Sequence, residues 1–320
     1  MSARVRPDYG LRSVTAQTMS SSAARLRALL ADETKIVVCP GVYDGLTARI
    51  ALKAGFDALY MLIPEKTGAG TTASRLGQPD LGVITMTEMR QNAEMIASLD
   101  RSVPLIADAD TGFGGSLMVH RTVTEYIRAG VAALHLEDQP TTKRCGHLRN
   151  KQVVPEEEYL SRIRAAVNSR QRSDGDIVLI ARTDALQSLG YEAAVSRLKG
   201  AIMLGADVAF LEGITCKEQA RLVCDELKPT PVLFNAVPGG VSPDLRVQEA
   251  QELGFRLIIF PGLALGAVYK AVERAAEVLK LHGTPAVDAS IGPRRLFNVL
   301  GLQDAVALDM AAGGGLYEGV

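Results

Sequence analysis

Ala129-Gly130-Val131-Ala132-Ala133-Leu134-His135-Leu136-Glu137-Asp138 holds a helix stop, a buried strand and an acidic strand end in one short run. The glycine can end the helix before it, because a residue without a Cβ enters the left-handed region at little cost. Residues 132–137 form a short, nearly continuous apolar run, which suits a parallel strand buried on both faces. The pattern recurs: Ala-Gly-Phe starts at Ala54, Leu-Gly-Ala at Leu204 and Leu-Gly-Phe at Leu253, each ahead of another such run. The runs are residues 35–39, stopped by Pro40-Gly41, then 58–61, 104–108, 132–137, 177–182, 208–212, 231–235 and 256–260. Helix-like stretches separate them; Asp44 is placed to cap one, and another spans about residues 86–98. Eight strand-plus-helix units predict one α/β domain, a (β/α)8 barrel of about 250 residues, over two open-sheet domains.

The remainder is read as flanks. Residues 1–22 carry Arg4, Arg6, Arg12 and several serines without an apolar core, and are expected to be a disordered leader. Residues 23–320 are expected to be the barrel with a C-terminal helical extension: a helix to Leu281, a break at Gly292-Pro293, then further helices through Leu308. In a chain of 320 residues, a hydrophobic content of 47% and a charged content of 22% describe an ordinary globular protein. A net charge of −1 gives no sign of a nucleic-acid or membrane-surface partner. No apolar run reaches the roughly 18 residues that span a bilayer. Cys39, Cys145, Cys216 and Cys224 are too scattered for a disulfide framework, so a reducing, cytoplasmic setting is expected.

In such a barrel the active site lies at the C-terminal ends of the strands, and here those ends are polar. The third run leads into Ala107-Asp108-Ala109-Asp110-Thr111-Gly112. Two carboxylates two residues apart are costly at a buried strand end unless a cation neutralises them. Hard oxygen donors of this kind suit Mg2+ or Mn2+. Later runs end in Glu137, Arg182, Glu212 and Asn235. Any one of these could be a strand-to-helix cap or a satisfied core polar residue. Together, in register, they read as a metal site with an arginine clamp for a carboxylate substrate. Thr67-Gly68-Ala69-Gly70-Thr71-Thr72 can offer backbone N–H groups to an anion. In Lys143-Arg144-Cys145-Gly146-His147, the neighbouring positive charge favours thiolate over thiol, which biases the cysteine toward chemistry. An incidental thiol on a basic surface loop is the plain alternative.

These stretches, with Pro79-Asp80-Leu81-Gly82, Glu137-Asp138-Gln139 and Ala181-Arg182-Thr183-Asp184, resemble the isocitrate lyase/phosphoenolpyruvate mutase superfamily over about residues 23–308. The Lys-Arg-Cys-Gly-His run is similar to that of the C–C bond-cleaving branch: methylisocitrate lyases, 2,3-dimethylmalate lyases and oxaloacetate acetylhydrolases. The resemblance implies Asp108 as the main ligand of Mg2+ or Mn2+, with Asp80, Asp110 and Glu137 binding through metal-bound waters. It implies Tyr60, Thr67, Gly68 and Ala69 around a dicarboxylate substrate, with Gly146, Arg182, Glu212, Asn235 and Pro261 completing the pocket. Cys145 would be the general acid, with Lys143, Arg144 and His147 tuning the thiol and binding the departing carboxylate. A homotetramer of paired subunits is implied, exchanging a helix near residues 293–300. A serine in place of Pro261 is typical of oxaloacetate acetylhydrolases, so proline tilts the reading toward a lyase for a substituted malate; oxaloacetate hydrolysis is the alternative. Leu62-Ile63-Pro64-Glu65-Lys66 stands as an insertion relative to the family pattern. A metal- and dicarboxylate-binding protein without turnover is the third reading.

Overall fold

The computed structural model describes residues 21–61, 70–144, 150–284, 291–317 and 319–320. Thr67, Gly68, Ala69, Cys145, Gly146, His147 and the insertion at 62–66 therefore lie outside the described residues. The first half of the chain runs α1 (Ser22–Ala31), β1 (Val37–Val42), α2 (Gly45–Lys53), β2 (Leu59–Met61), α3 (Gly70–Leu76), α4 (Met86–Leu99), β3 (Leu105–Asp108), α5 (Ser116–Arg128), β4 (Ala133–Leu136) and α6 (Glu156–Arg172). The second half runs β5 (Val178–Thr183), α7 (Ala185–Leu189), α8 (Tyr191–Leu204), β6 (Val208–Leu211), α9 (Lys217–Glu226), β7 (Val232–Asn235), α10 (Val247–Leu253) and β8 (Leu257–Phe260). Three helices follow: α11 (Leu263–His282), α12 (Pro293–Val299) and α13 (Leu302–Ala311).

All eight strands are parallel and close in sequence order, β8 pairing with β1. This is the predicted (β/α)8 barrel. The local signals act as expected. Asp44 caps α2 by accepting from the Thr47 N–H at 2.8 Å, and Gly205 and Gly254 end α8 and α10 with positive φ. One expectation is corrected: β1 does not stop at Pro40-Gly41 but continues through both to Val42. The closed barrel supplies a neighbour on each side, β8 opposite Pro40 and β2 from Gly41, so losing one N–H does not end the strand.

Strand periodicity divides the buried residues into two cores. Val37, Cys39, Tyr60, Ile106, Ile180, Phe210, Leu233 and Ile259 point inward and pack together. Leu105, Leu134, Leu179, Leu211 and Phe234 point outward under the helices. The floor of the barrel is closed by α1, whose Leu26 and Leu30 join the inner core. Arg27 of α1 fixes this plug by reaching Asp176 at 3.1 Å and Asp207 at 2.7 Å. The reading of the sequence did not anticipate the plug, and Ser22, assigned to the leader, stands in its first turn. The same alternation places Asp108, Glu137, Arg182, Glu212, Asn235 and Pro261 one or two steps beyond the inner core, at the barrel mouth.

Leu26→Ala is expected to cost about 2–5 kcal/mol in chemical denaturation, the range for emptying a fully buried leucine. A loss well under 1 kcal/mol would show that α1 is not part of the inner core.

Candidate active site

The turn after β3 sets the geometry of the site. Asp110 adopts φ 54° without being glycine, and Gly112 follows at φ 86°. A side chain at Gly112 would collide with Val119, so the turn needs glycine there. The Asp110 N–H donates to Asp108 Oδ1 at 2.7 Å, and the Tyr126 hydroxyl donates to the Asp108 carbonyl at 2.9 Å. Left-handed backbone at a non-glycine residue costs on the order of 1–3 kcal/mol and persists where the surroundings over-determine it. Here it turns Asp108 and Asp110 toward the same hollow.

Asp80, from the loop between α3 and α4, and Lys143, after β4, meet them there. Lys143 Nζ donates to Asp80 Oδ2 at 2.8 Å and lies 2.6 Å from Asp110 Oδ1, with all three side chains buried. Lys143 Nζ is also 2.8 Å from Asp80 Oδ1, yet neither Oδ1 receives a hydrogen bond from it. Both oxygens are charge-paired but keep a lone pair for water or a cation. Lys143 thus sits among the acids that the sequence reading had assigned to the metal. Burial pushes the Asp80 carboxyl up to about 6, against the pull of Lys143. Burial and then the Asp110 charge push Asp108 up to about 8. Burial also holds Glu137 well above the usual carboxylate range, despite Arg182.

The opposite wall is built on Arg182. Its Nε donates to Asp184 Oδ2 at 2.9 Å and lies 3.3 Å from Glu137 Oε2, and its Nη2 is 3.8 Å from Glu212 Oε2. The guanidinium carbon stands 5.0 Å above the Phe210 ring. Asn235 Nδ2 donates to Glu212 Oε2 at 3.1 Å, and buried Pro261 follows β8. Tyr60 hydrogen-bonds His135 Nε2 at 2.7 Å, and His135 Nδ1 is 3.4 Å from Asp108 Oδ1. The structure therefore gathers Tyr60, Asp80, Asp108, Asp110, Glu137, Lys143, Arg182, Glu212, Asn235 and Pro261 at one barrel mouth. Arg144 sits on its edge, its N–H donating to Gln139 Oε1 at 3.1 Å and its carbonyl accepting from Gln139 Nε2 at 2.8 Å.

A supporting layer escaped the sequence reading. Asp138 accepts from Thr183 Oγ1 at 2.5 Å, the Asp184 N–H at 2.8 Å and Arg197 Nη1 at 3.1 Å, locking β4 to β5 and α8. Arg162 Nη1 donates to the Gln139 carbonyl at 2.7 Å. Lys151 Nζ donates to Asp184 Oδ1 at 2.6 Å. Asp138 and Asp184 were visible in quoted stretches, but nothing local in the sequence joins Lys151 or Arg197 to them.

A hard divalent cation fits this donor set. Asp80, Asp108, Asp110, Glu137, Asp184 and Glu212 crowd together at the mouth, with Lys143, Lys151 and Arg182 among them as counter-charges. Burial, with the Asp110 charge second at Asp108, raises the carboxyl pKa values of Asp80, Asp108 and Glu137, and a cation beside Asp108 would offset that cost. Among the described residues no three His, Cys, Asp or Glu side chains form a direct metal cage. That suits an ion held by one or two carboxylates and completed by waters, as Mg2+ usually is.

Carboxylates with raised pKa values bind protons more tightly folded than unfolded. Their burial is tolerated near pH 4 and costs more as pH rises through about 6 for Asp80 and about 8 for Asp108. Asp184 has the opposite sign. Burial pushes it up, but Arg182 and Lys151 outweigh that and hold it at about 2, so its contribution is lost only in acid. Metal-free protein is thus expected to lose thermal stability between about pH 5 and about pH 8. Added Mg2+ should raise Tm more at the higher pH; an equal or larger shift at the lower pH would contradict this account.

A family model described as phosphoenolpyruvate phosphomutase matches residues 26–280. The 2,3-dimethylmalate lyase of Eubacterium barkeri is 39% identical over 285 residues, 88% of this chain and 95% of that protein. A solved oxaloacetate acetylhydrolase, complexed with the inhibitor 3,3-difluorooxalacetate, matches with a TM-score of 0.89 at 54% identity, covering 92% of this chain and 98% of that one. A solved 2,3-dimethylmalate lyase, described as a PEP mutase/isocitrate lyase superfamily member, matches with a TM-score of 0.90 at 53% identity, covering 94% and 98%. With this match along most of its length and the acidic barrel mouth built as described, the chain belongs to the phosphoenolpyruvate mutase/isocitrate lyase superfamily.

Proposed function

We propose that this protein is a Mg2+- or Mn2+-dependent carbon–carbon lyase that cleaves a substituted malate, a 2-hydroxy dicarboxylate, into a keto acid and a saturated carboxylate. The observation that carries the reading is the pairing of an acid cluster, Asp80, Asp108, Asp110 and Glu137, with Arg182 across one buried barrel mouth. Asp108 is the proposed main ligand, with Asp80, Asp110 and Glu137 acting through waters. The bound cation would supply charge stabilisation for the oxyanion that develops during cleavage.

The chain's own residues have the following roles. Arg182, stacked on Phe210 and steered by Asp184, pairs a substrate carboxylate. Glu212 and Asn235, bonded to each other, line the pocket beside it. Tyr60 presents its hydroxyl from the inner face, held by His135. Thr67, Gly68 and Ala69, which precede α3, offer backbone N–H groups to the same substrate. The C2 hydroxyl proton passes to a carboxylate of the acid cluster, and that oxygen becomes a carbonyl as the C2–C3 bond breaks. The electron pair of that bond passes into the carboxylate on C3. Cys145 then donates its thiol proton to that carbon, and Gly146 leaves room for the approach. Arg144 and His147 supply positive charge around the thiol and the departing carboxylate, while Lys143 pairs Asp80 and Asp110.

Oxaloacetate hydrolysis to oxalate and acetate is the second reading, favoured by the acetylhydrolase at 54% identity. Pro261 argues for the lyase, since the end of β8 presents no hydroxyl there. Mass spectrometry of substituted malates and oxaloacetate with Mg2+ or Mn2+ separates the two. Keto acid release abolished by EDTA is the expected result; oxalate and acetate from oxaloacetate alone would replace the lyase reading. Cys145→Ala should reduce turnover at least a hundredfold, the scale of a lost general acid, and unchanged turnover would remove its role. Pro261→Ser should raise oxalate formation from oxaloacetate.

We further propose a homotetramer of paired subunits that exchange α12. Val272, Leu281, Phe297 and Leu308 of the last three helices are half or more exposed in the single chain. An apolar groove of about 370 Å³ lies between α2 and the start of α11, lined by Pro40, Val42, Ile50, Ala51, Leu263 and Val268. Exchange keeps such contacts but moves them between copies. Light scattering should give four chains per particle; a monomer would sink the proposal. No described helix is long and apolar enough to cross a membrane, and we place the enzyme in the cytoplasm.

A further inference from the structure

Gln139 ends the Glu137-Asp138-Gln139 stretch, and the proposed reaction gives it no part. It is nevertheless buried, and its side-chain amide is fully engaged. Nε2 donates to Glu137 Oε1 at 3.0 Å and to the Arg144 carbonyl at 2.8 Å, and Oε1 accepts the Arg144 N–H at 3.1 Å. A rotated amide would set its oxygen against two acceptors and its NH2 against a donor, so only this orientation fits. Arg162 holds the backbone here, its Nη1 donating to the Gln139 carbonyl at 2.7 Å and the Glu137 carbonyl at 3.3 Å. Arg144 in turn donates through Nη1 to the Asn150 carbonyl at 3.0 Å. One amide thus touches a carboxylate of the acid cluster and both backbone groups of Arg144. That residue stands between Lys143, whose ammonium group enters the same cluster, and Cys145.

We propose that Gln139 is a positioning residue that couples the metal site to the chain at Arg144. The inference rests on the reading of Glu137 as a ligand of the cation through water. Glu137 Oε2 lies 3.3 Å from Arg182 Nε, and Gln139 holds the other oxygen. A neutral amide orients the carboxylate without cancelling the charge that a cation needs. A cation that fixes Glu137 also fixes the amide, and the amide fixes Arg144. By linkage, order at Arg144 strengthens the metal site to the same degree.

The full chain can be tested without turnover. Mn2+ affinity is read from the electron paramagnetic resonance of free Mn2+. Exchange of the Arg144 amide hydrogen is followed by mass spectrometry, with and without Mg2+ at a level that saturates each protein. Gln139→Met, similar in volume, should weaken Mn2+ binding roughly tenfold to a hundredfold, the scale of a lost partner behind a metal ligand. In the parent, Mg2+ should slow Arg144 exchange at least about fivefold, and Gln139→Met should lose most of that slowing. A purely structural glutamine predicts something else: faster exchange in the variant, with the parent's response to Mg2+ intact. That result would overturn the inference alone. So would Mn2+ affinity within about twofold of the parent, or a parent whose Arg144 exchange ignores bound Mg2+. A parent that binds neither ion would remove the reading of Glu137 as well. If Gln139→Met does not fold, Gln139→Asn, whose amide is too short to reach both partners, decides by the same readings.

Discussion

Negative charge confined in a dry barrel mouth is the constraint on which the rest of the structure depends. Carboxylates from β3, β4, β5, β6 and the loop before α4 converge where water cannot screen them. Left to themselves they would take up protons, as the raised positions of Asp80 and Asp108 show. The fold holds them by rigid means. An apolar inner core lies beneath, the positive-φ turn at Asp110 aims two of them, and Lys143, Lys151 and Arg182 are interleaved as counter-charges. In the proposed function, the stability given up at this mouth is what a divalent cation and a dianionic substrate would recover.

The barrel and most of the charged layer were legible in the sequence because both follow from short-range rules. Period-two alternation makes Ile106 and Asp108 share a face, and likewise Phe210 and Glu212. Glycines after helices announce the turns. What could not be read depends on pairing between distant segments. Lys143 was taken as a partner of the thiol, but its ammonium group lies in the acid cluster, beside Asp80, 63 residues earlier. Arg197 meets Asp138 across 59 positions. The α1 plug closes a floor whose edges, Asp176 and Asp207, lie far along the chain. Periodicity carries no information about such meetings. Pro40 misled for the opposite reason: a local breaker was overruled by neighbours on both sides.

The framework behind the site shows why its residues can be held so closely. Asp138 makes no use of its charge in the pocket. It ties Thr183, Asp184 and Arg197 together, so that Arg182 and Asp184 leave β5 at a fixed angle. Arg162 and Gln139 do the same for the chain after β4, gripping the carbonyls of Glu137 and Gln139 and the backbone of Arg144. Asp138, Gln139, Arg162 and Arg197 are each hydrogen-bonded more than once, and such a network resists the pull of the charges in front of it.

Charge alone does not separate a lyase from an acetylhydrolase. A solved relative of each name lies equally near this chain, at 53% and 54% identity. Both chemistries handle a dicarboxylate and an oxyanion, so both ask for the same acids and the same arginine. Discrimination must come from uncharged positions that decide whether a nucleophilic or hydrated oxygen is held beside the C2 centre. At the end of β8 this chain places Pro261, buried and without a hydroxyl. Proline there has no hydroxyl to offer an added water, which is the ground on which the lyase is proposed over the hydrolase. In the proposed function this uncharged ring, rather than the carboxylates that both chemistries need, carries the choice of reaction.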